Sequence, residues 1–524
     1  MSTPKHTPTS DPSRRRFLHA SSLVGLSGLS GLMVTGLSAC GGSDDPPDPL
    51  TASSSDVLEA VQRGTLSAEA CATALIARAK QQADLNSLIF LNEAAALAAA
   101  RQIDLDRQAG KPLKPLAGLF IVVKDNINTA DMPTTSGTPA LQGARPSTTA
   151  PSLKRLTDAG AIVLAKANLH ELAFGITSTN LSFAKPVKNP YDKARIPGGS
   201  SGGTAAAIAA GIVSCGLGTD TGGSTRVPAA LCGVVGLRPS VGNGGTQRRY
   251  TDTNAVMPIS HTRDTVGPLG RTVADVALLD SVITQTPQAR ITSLQGVRLG
   301  LPAALWAGLD TSVASVAQAA KAKLTAAGAV LVEMDIPGLF ATNDLISFQV
   351  ALHEPLADIP AYLAASGLTS QSMASIAAAI ASPDVQGAFA AIQADVFGPA
   401  YPDAINIHRP LLQKLYADAF AQNKVEALLF PTTLLAATPM DLEKGSGTVS
   451  VNGGPPVDTF GTYIRNTDPG SNAGLPGLSV PAGLNAAGLP VGMELDGPVG
   501  SDQRLLSLGL ALEAALGRVP APKL

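Results

Sequence analysis

The sequence predicts an α/β protein with a mixed, mainly parallel central β-sheet sandwiched between α-helices. Two observations carry that expectation. Beyond Pro115, short runs are apolar almost throughout, as strands buried on both faces require, rather than alternating apolar with polar residues. Between those runs lie segments of helical periodicity, and parallel strands need such crossovers. No internal repeat offers a solenoid instead.

Residues 56–109 read as helices. Asp56 can cap a run bearing Val57, Leu58 and Val61, stopped by Gly64. Ser67 can cap the next, with Leu75, Ile76 and Ala79 on one face. A third spans 93–108 and stops at Gly110. Strands are expected at 119–123, 162–164, 213–218, 234–237, 297–301, 330–332, 428–430 and 478–480. Helices are expected at 152–159, 204–210, 273–282 and 313–326, with a helical turn at 227–231. The Gly-, Pro- and Thr-rich stretch 431–476 reads as a loop serving a site rather than a linker, because sheet-like segments resume after it. Residues 56–524 thus read as one domain, with N-terminal helices over 56–110, a core over 111–290 and a C-terminal part over 291–524.

Ahead of that domain, Ser13-Arg14-Arg15-Arg16-Phe17-Leu18 has the twin-arginine export pattern, and residues 17–43 contain no Asp, Glu, Lys or Arg. Leu37-Ser38-Ala39-Cys40 is similar to a lipobox. The expectation is a signal peptide over 1–39, lipid on Cys40, a polar Gly/Pro tether over 40–55 and a periplasmic, membrane-anchored lipoprotein. An uncleaved membrane span is the competing reading, and small residues beside the cysteine favour cleavage.

Thirty-eight Lys and Arg against 40 Asp and Glu leave a net charge of −2, without the basic footprint that nucleic-acid binding needs. Four cysteines exclude a disulfide scaffold, and no Cys/His group has zinc spacing. Neither metal nor cofactor is expected. A Cys215–Cys232 bridge stays open, but buried thiols fit better at Cys71, Cys215 and Cys232, because twin-arginine cargo folds under reducing conditions.

The densest chemical signal is Pro197-Gly198-Gly199-Ser200-Ser201-Gly202-Gly203 followed by Gly218-Thr219-Asp220-Thr221-Gly222-Gly223-Ser224-Thr225-Arg226. Residues 198–202 fit G-x-S-x-G, the nucleophile elbow, which needs a buried strand leading into it. Residues 192–197, with Asp192, Lys193, Arg195 and Pro197, cannot supply one. Ser224 is better placed: a strand precedes it, a helical turn follows it, and Gly222-Gly223 leave backbone N–H groups bare to form an oxyanion hole. Its base has to come from elsewhere. Lys124 ends an apolar run, where desolvation lowers an amine towards the range of a working base, and Asp125 falls on the opposite strand face.

Taken together these segments resemble the amidase signature family. The resemblance rests on 198–203, on 218–229, and upstream on Pro115-Leu116-Ala117-Gly118 and Val123-Lys124-Asp125-Asn126. It extends through Lys166-Ala167-Asn168, Gly236-Leu237-Arg238-Pro239, Phe430-Pro431-Thr432-Thr433 and Gly474-Leu475-Pro476. It covers about residues 60 to 515. It implies the amidase signature fold and a Ser-Ser-Lys triad: Ser224 as nucleophile, Ser200, next to an unusual cis peptide, as proton relay, and Lys124 as ultimate base. Thr221, Gly222, Gly223 and Ser224 would supply oxyanion N–H groups, while Asp220 and Arg226 hold the loop. Ser240 stands where the family has Thr, and residues 242–250 form an expanded turn. Pro258-Ile259-Ser260-His261-Thr262-Arg263-Asp264-Thr265 is similar to the indoleacetamide and mandelamide hydrolase branch, which implies a small arylacetamide-like amide substrate. A tRNA amidotransferase subunit shares the same blocks, but the export segment argues against it. Two other classes compete: a Ser-His-Asp esterase on Ser200 using His261, His353 or His408, and a non-enzymatic lipoprotein that binds a solute.

Overall fold

The computed structural model describes residues 46–443 and 445–524. The twin-arginine segment with Arg14 and Arg15, and the box ending in Cys40, lie outside the described residues. Residues 46–53, expected as tether, instead belong to the compact unit that runs from Pro46 to Leu524. Leu50 and Ala52 pack on its core, and Arg271 Nη1 donates to Ala52 O at 2.8 Å.

The three N-terminal helices form as expected, with one shifted cap. Helix α1 (Ser54–Arg63) is capped by Ser53, whose hydroxyl accepts from Asp56 N at 3.1 Å, and closes on Gly64 at φ 80°. Asp56 therefore sits in the first turn, where its charge suits the helix dipole. Helix α2 (Ala68–Gln81) is capped by Ser67, and α3 (Glu93–Gln108) packs against it. Asp104 of α3 binds the start of α2 by accepting from Ser67 Oγ at 2.7 Å and from Ala68 N and Glu69 N at 3.0 Å.

The central sheet has 11 strands. In chain order they are β1 (Leu88–Leu91), β2 (Phe120–Lys124), β3 (Ile162–Ala167), β4 (Cys215–Asp220), β5 (Val235–Arg238), β6 (Thr265–Gly270), β7 (Arg298–Pro302), β8 (Val330–Met334) and β9 (Ala427–Pro431). A separate two-stranded ribbon, β10 (Thr448–Val449) with β11 (Val457–Asp458), precedes β12 (Gly477–Leu484) and β13 (Pro490–Asp496). The order across the sheet is β1-β3-β2-β4-β6-β5-β12-β13-β9-β7-β8. The sheet is mixed. Its parallel pairs gather in two wings, β3-β2-β4 and β9-β7-β8, and the strands between them pair antiparallel. That antiparallel centre depends on β6 and β13, which carry Pro268 and the acids Glu494 and Asp496 and so lack the signature of a buried strand.

Strand β2 shows how the two layers are built. Phe120 and Val122 enter the core shared with α2, α3 and the helix α5 that follows α4 (Pro151–Asp158) and spans Gly202–Ala209. Ile121 and Val123 enter the opposite core with Leu153 and Leu156 of α4. Leu279 and Ile283 of α7 (Val273–Thr284), which comes after α6 (Arg226–Cys232), complete that core. Each such fully buried side chain contributes about 1.5–3 kcal/mol. By the same alternation Lys124 falls on the α5 face and Asp125 on the other. Asp125 there lies 3.4 Å from Lys166 Nζ and accepts from Thr135 N at 2.9 Å. Cys71, Cys215 and Cys232 are free and buried, and burial pushes the Cys71 and Cys215 thiols up to about 12.

Ile121 is fully buried between two strands, so Ile121→Ala should lower unfolding stability by about 2–5 kcal/mol in a urea titration. An unchanged midpoint would mean that this layer is not packed as described.

Candidate active site

Parallel pairing of β2 with β4, with Val123 opposite Leu217, brings the ends of both strands to one edge. Lys124 emerges there beside Thr219 and the loop that enters α5. Its Nζ lies 2.7 Å from Ser200 Oγ and 2.7 Å from Thr219 Oγ1, with no solvent exposure. Burial lowers its pKa to about 7, against Asp220 and Asp264, whose charges favour the ammonium. Asn126 Nδ2 donates to the same Thr219 oxygen at 3.1 Å. The Gly199–Ser200 peptide is cis.

The second loop, 220–226, is organised by Asp220. Its carboxylate accepts from Gly223 N at 2.9 Å, Thr225 N at 3.1 Å, Thr225 Oγ1 at 2.9 Å, Arg226 Nε and Nη2 at 3.1 Å and Arg238 Nη1 at 3.0 Å. Burial alone would raise this acid, but the two guanidiniums and these N–H groups hold it far below the usual carboxylate range. Gly223 has φ 137°, and a Cβ there would lie 2.3 Å from Thr467 Oγ1, so only glycine fits. Thr467 Oγ1 donates to Gly222 O at 2.6 Å, and Arg263 Nη2 to Thr221 O at 3.1 Å. Thr221 Oγ1 donates to Asp264 Oδ1 at 2.6 Å, which ties the 258–265 segment to the same loop.

The two glycine–serine loops meet where Ser201 N donates to Ser224 O at 3.1 Å. Ser224 Oγ has no side-chain hydrogen-bond partner among the described residues and lines a cavity of about 650 Å³ with Thr221 and Gly222. The expected set of oxyanion donors needs one correction. Gly223 N–H is committed to Asp220, which leaves the N–H groups of Thr221, Gly222 and Ser224. The cavity wall is mainly apolar. Phe348 stacks on Phe397 with ring centroids 6.2 Å apart and also approaches Phe460, on the helix Thr459–Ile464, at 6.2 Å. The expected site loop over 431–476 thus reaches the site.

No histidine side chain bonds Ser200 Oγ among the described residues. His261 Nδ1 lies 3.0 Å from Asp358, His353 Nδ1 lies 2.7 Å from Asp395, and Ser200 Oγ is bonded to Lys124 instead. Ser240, where the resemblance leads one to expect Thr, donates from both its N and its Oγ to Asp502, at 2.8 and 2.6 Å. Sequence reasoning missed Thr467, Asp468, Glu494 and the Phe348–Phe397 wall. None carries a local signal, since each is brought to the site only by the fold.

A desolvated lysine on one serine, a second serine open to an apolar cavity, and bare N–H groups beside it suit a serine hydrolase that works by acyl transfer. The family described as amidase matches residues 70–506. An indoleacetamide hydrolase of Rhizobium radiobacter is 42% identical over 465 residues, covering 88% of this chain and 96% of the relative. A mandelamide hydrolase of Pseudomonas putida is 38% identical, covering 86% of this chain and 88% of the relative. The crystal structure of an amidase superposes with a TM-score of 0.78 at 31% identity, covering 89% of this chain and 100% of that one. The chain belongs to the amidase family.

Asp220→Ala should destabilise the protein by about 3–5 kcal/mol, because it leaves buried Arg226 and Arg238 short of a counter-charge. The wild-type contribution is present above the unfolded carboxylate pKa and is lost as pH falls below about 4 towards the depressed folded value. Melting of the two proteins from pH 7 to pH 3 checks both: the gap should be widest at pH 7 and narrow on acidification.

Proposed function

We propose that the protein is a serine amidase that hydrolyses small arylacetamide-like amides through an acyl-enzyme on Ser224. The observation that carries this reading is the 2.7 Å contact between fully buried Lys124 Nζ and Ser200 Oγ. In the neutral amine, one N–H stays on Thr219 and the lone pair takes the Ser200 proton. Ser200 in turn takes the proton of Ser224 as Ser224 Oγ attacks the amide carbon. The N–H groups of Thr221, Gly222 and Ser224 receive the carbonyl oxygen as it becomes an oxyanion, and each such donor is worth about 2.7–4 kcal/mol of barrier. Collapse breaks the C–N bond while the proton returns through Ser200 to the leaving nitrogen, giving ammonia or an amine. Water then repeats the steps on the ester and releases the carboxylate. The apolar cavity of about 650 Å³ has room for an aryl group, and the named substrates of the relatives fit that chemistry. No cofactor enters these steps.

We also propose that the chain is exported by the twin-arginine route and held at the periplasmic side of a membrane through lipid on Cys40. The paired Arg14 and Arg15, the uncharged stretch 17–43 and the box 37–40 support this.

The mechanism is tested on three variants. Ser224→Ala should give no covalent intermediate in single-turnover mass spectrometry. Ser200→Ala should still acylate slowly, and more slowly with amides than with matched esters, because an amine leaves poorly without a proton. Lys124→Ala should lose several orders of magnitude in kcat while remaining folded. In the wild type, kcat/KM should rise as pH climbs through about 7. The unfolded lysine titrates near 10.5, so the unfolded chain holds the extra proton between about 7 and 10.5 and stability should also rise across that window. An adduct mapped to Ser200 in Ser224→Ala would reverse the serine roles.

Export is checked by replacing Arg14 and Arg15 with Lys, which should retain precursor in the cytoplasm. Cys40→Ala should abolish incorporation of labelled palmitate, and a wild-type protein that never takes up the label would refute the lipid anchor.

A further inference from the structure

We propose that Asp384 is the specificity residue of the cavity and that it selects amides whose aromatic group carries a ring N–H donor. This rests on the amidase reading above. Asp384 lies near the start of the helix Pro383–Gln393 and lines the cavity with Ser224. The other charged side chains of the wall are engaged. Arg263 Nη2 donates to Asp468 Oδ1 at 2.5 Å, and Asp458 accepts from Gly461 N at 2.6 Å to cap its helix.

Asp384 is held from behind and left open in front. Its Oδ1 accepts from Val385 N at 3.0 Å, and its Oδ2 lies 3.0 Å from Nε2 of the fully buried His170. Each carboxylate oxygen has two acceptor sites, so each keeps one spare. The side chain is 34% exposed, and it belongs to the cavity wall. Ser178 N donates to His170 Nδ1 at 3.1 Å, which puts the imidazole proton on Nε2, the nitrogen close to the acid but not aligned to hydrogen-bond it. Gly175 makes room for this contact, since a Cβ there would lie 2.2 Å from His170 Nε2. Burial opposes the charge, but His170 and the backbone N–H groups bring the carboxyl below its ordinary value, so it is an anion at neutral pH.

His170 also links this anion to the reacting end. Its backbone N–H donates to Ser200 O at 3.1 Å, so the acceptor and the serine loop are held in one frame. An ionised acceptor in a cavity also lined by aromatic rings rewards an aromatic N–H with a charge-assisted hydrogen bond and repels a ring oxygen at the same position. The chemical pattern is an indole-type acetamide.

The experiment measures binding to the Ser224→Ala protein by calorimetry, so that turnover is not needed. The probes are indole-3-acetamide and 1-benzofuran-3-acetamide, which differ by N–H against O at equal shape. The expected result is about tenfold or more tighter binding of the indole, a preference that disappears in the Ser224→Ala/Asp384→Asn double variant. Equal binding of both probes to Ser224→Ala would overturn the proposal whether or not the double variant folds. So would a preference that survives Asp384→Asn in a protein with an unchanged melting midpoint. Turnover of both probes by the wild type is measured alongside. An indole preference lost with Asp384 but without hydrolysis would refute the amidase reading and leave the acceptor standing; hydrolysis without that preference would do the reverse.

Discussion

The contact between Asp220 and the guanidiniums of Arg226 and Arg238 is where the buried charges of this protein are balanced. Asp220 ends β4, Arg226 begins α6 and Arg238 ends β5, so one carboxylate fastens three elements at the point where Ser224 must be presented. Removing these charges from water is costly, and the geometry answers with a near-complete set of hydrogen bonds. Arg226 continues the chain of charge to Glu494 and reaches Ser471 Oγ at 2.6 Å. Burial raises Glu494, as does its neighbour Asp496, while Arg226 pulls the other way. The loop bearing Ser224 is thereby fixed from the protein side, and Thr221, Gly222 and Ser224 line the cavity.

The same pairing bears on Lys124. An unpaired carboxylate nearby would stabilise the ammonium and keep the lysine charged. With Asp220 engaged by two arginines, desolvation dominates, and the amine titrates near neutrality at about 7. The same direction of shift is seen one strand away, where a carboxylate lies close to the amine. Lys166 is equally buried but lies 3.4 Å from Asp125, and its pKa is lowered only to about 8. Its Nζ also donates to Ile127 O and Thr134 Oγ1 at 2.8 Å, which commits it to holding the loop after β2. Two lysines on adjacent parallel strands thus differ in what surrounds them rather than in burial.

Much of the framework was legible in the sequence because its causes are local. Apolar runs mark β2, β3 and β4, and a capping residue followed by helical periodicity marks α1, where the cap is Ser53 rather than Asp56, and α2, where it is Ser67. Glycines at 222 and 223 mark a loop whose backbone must stay bare. Strands β6 and β13 were not legible, because Pro268, Glu494 and Asp496 contradict the local pattern of a central strand. Glu494 is tolerated in the sheet because Arg226 pairs with it, and no window of neighbouring residues contains that fact.

The site divides in the same way. Lys124, Ser200 and Ser224 stand out because motif spacing and strand ends are properties of short segments. The commitment of Gly223 N–H to Asp220 was settled only by the turn's actual dihedrals. Thr467 reaches Gly222 across 245 positions, and Arg263 reaches Asp468 across 205. The pairing of His170 with Asp384 likewise joins distant segments. Periodicity and capping act over a few residues and determine which segments become strands, helices and bare loops. Which side chains meet at the cavity depends on crossover connections and sheet order, and these are set by packing of the whole chain.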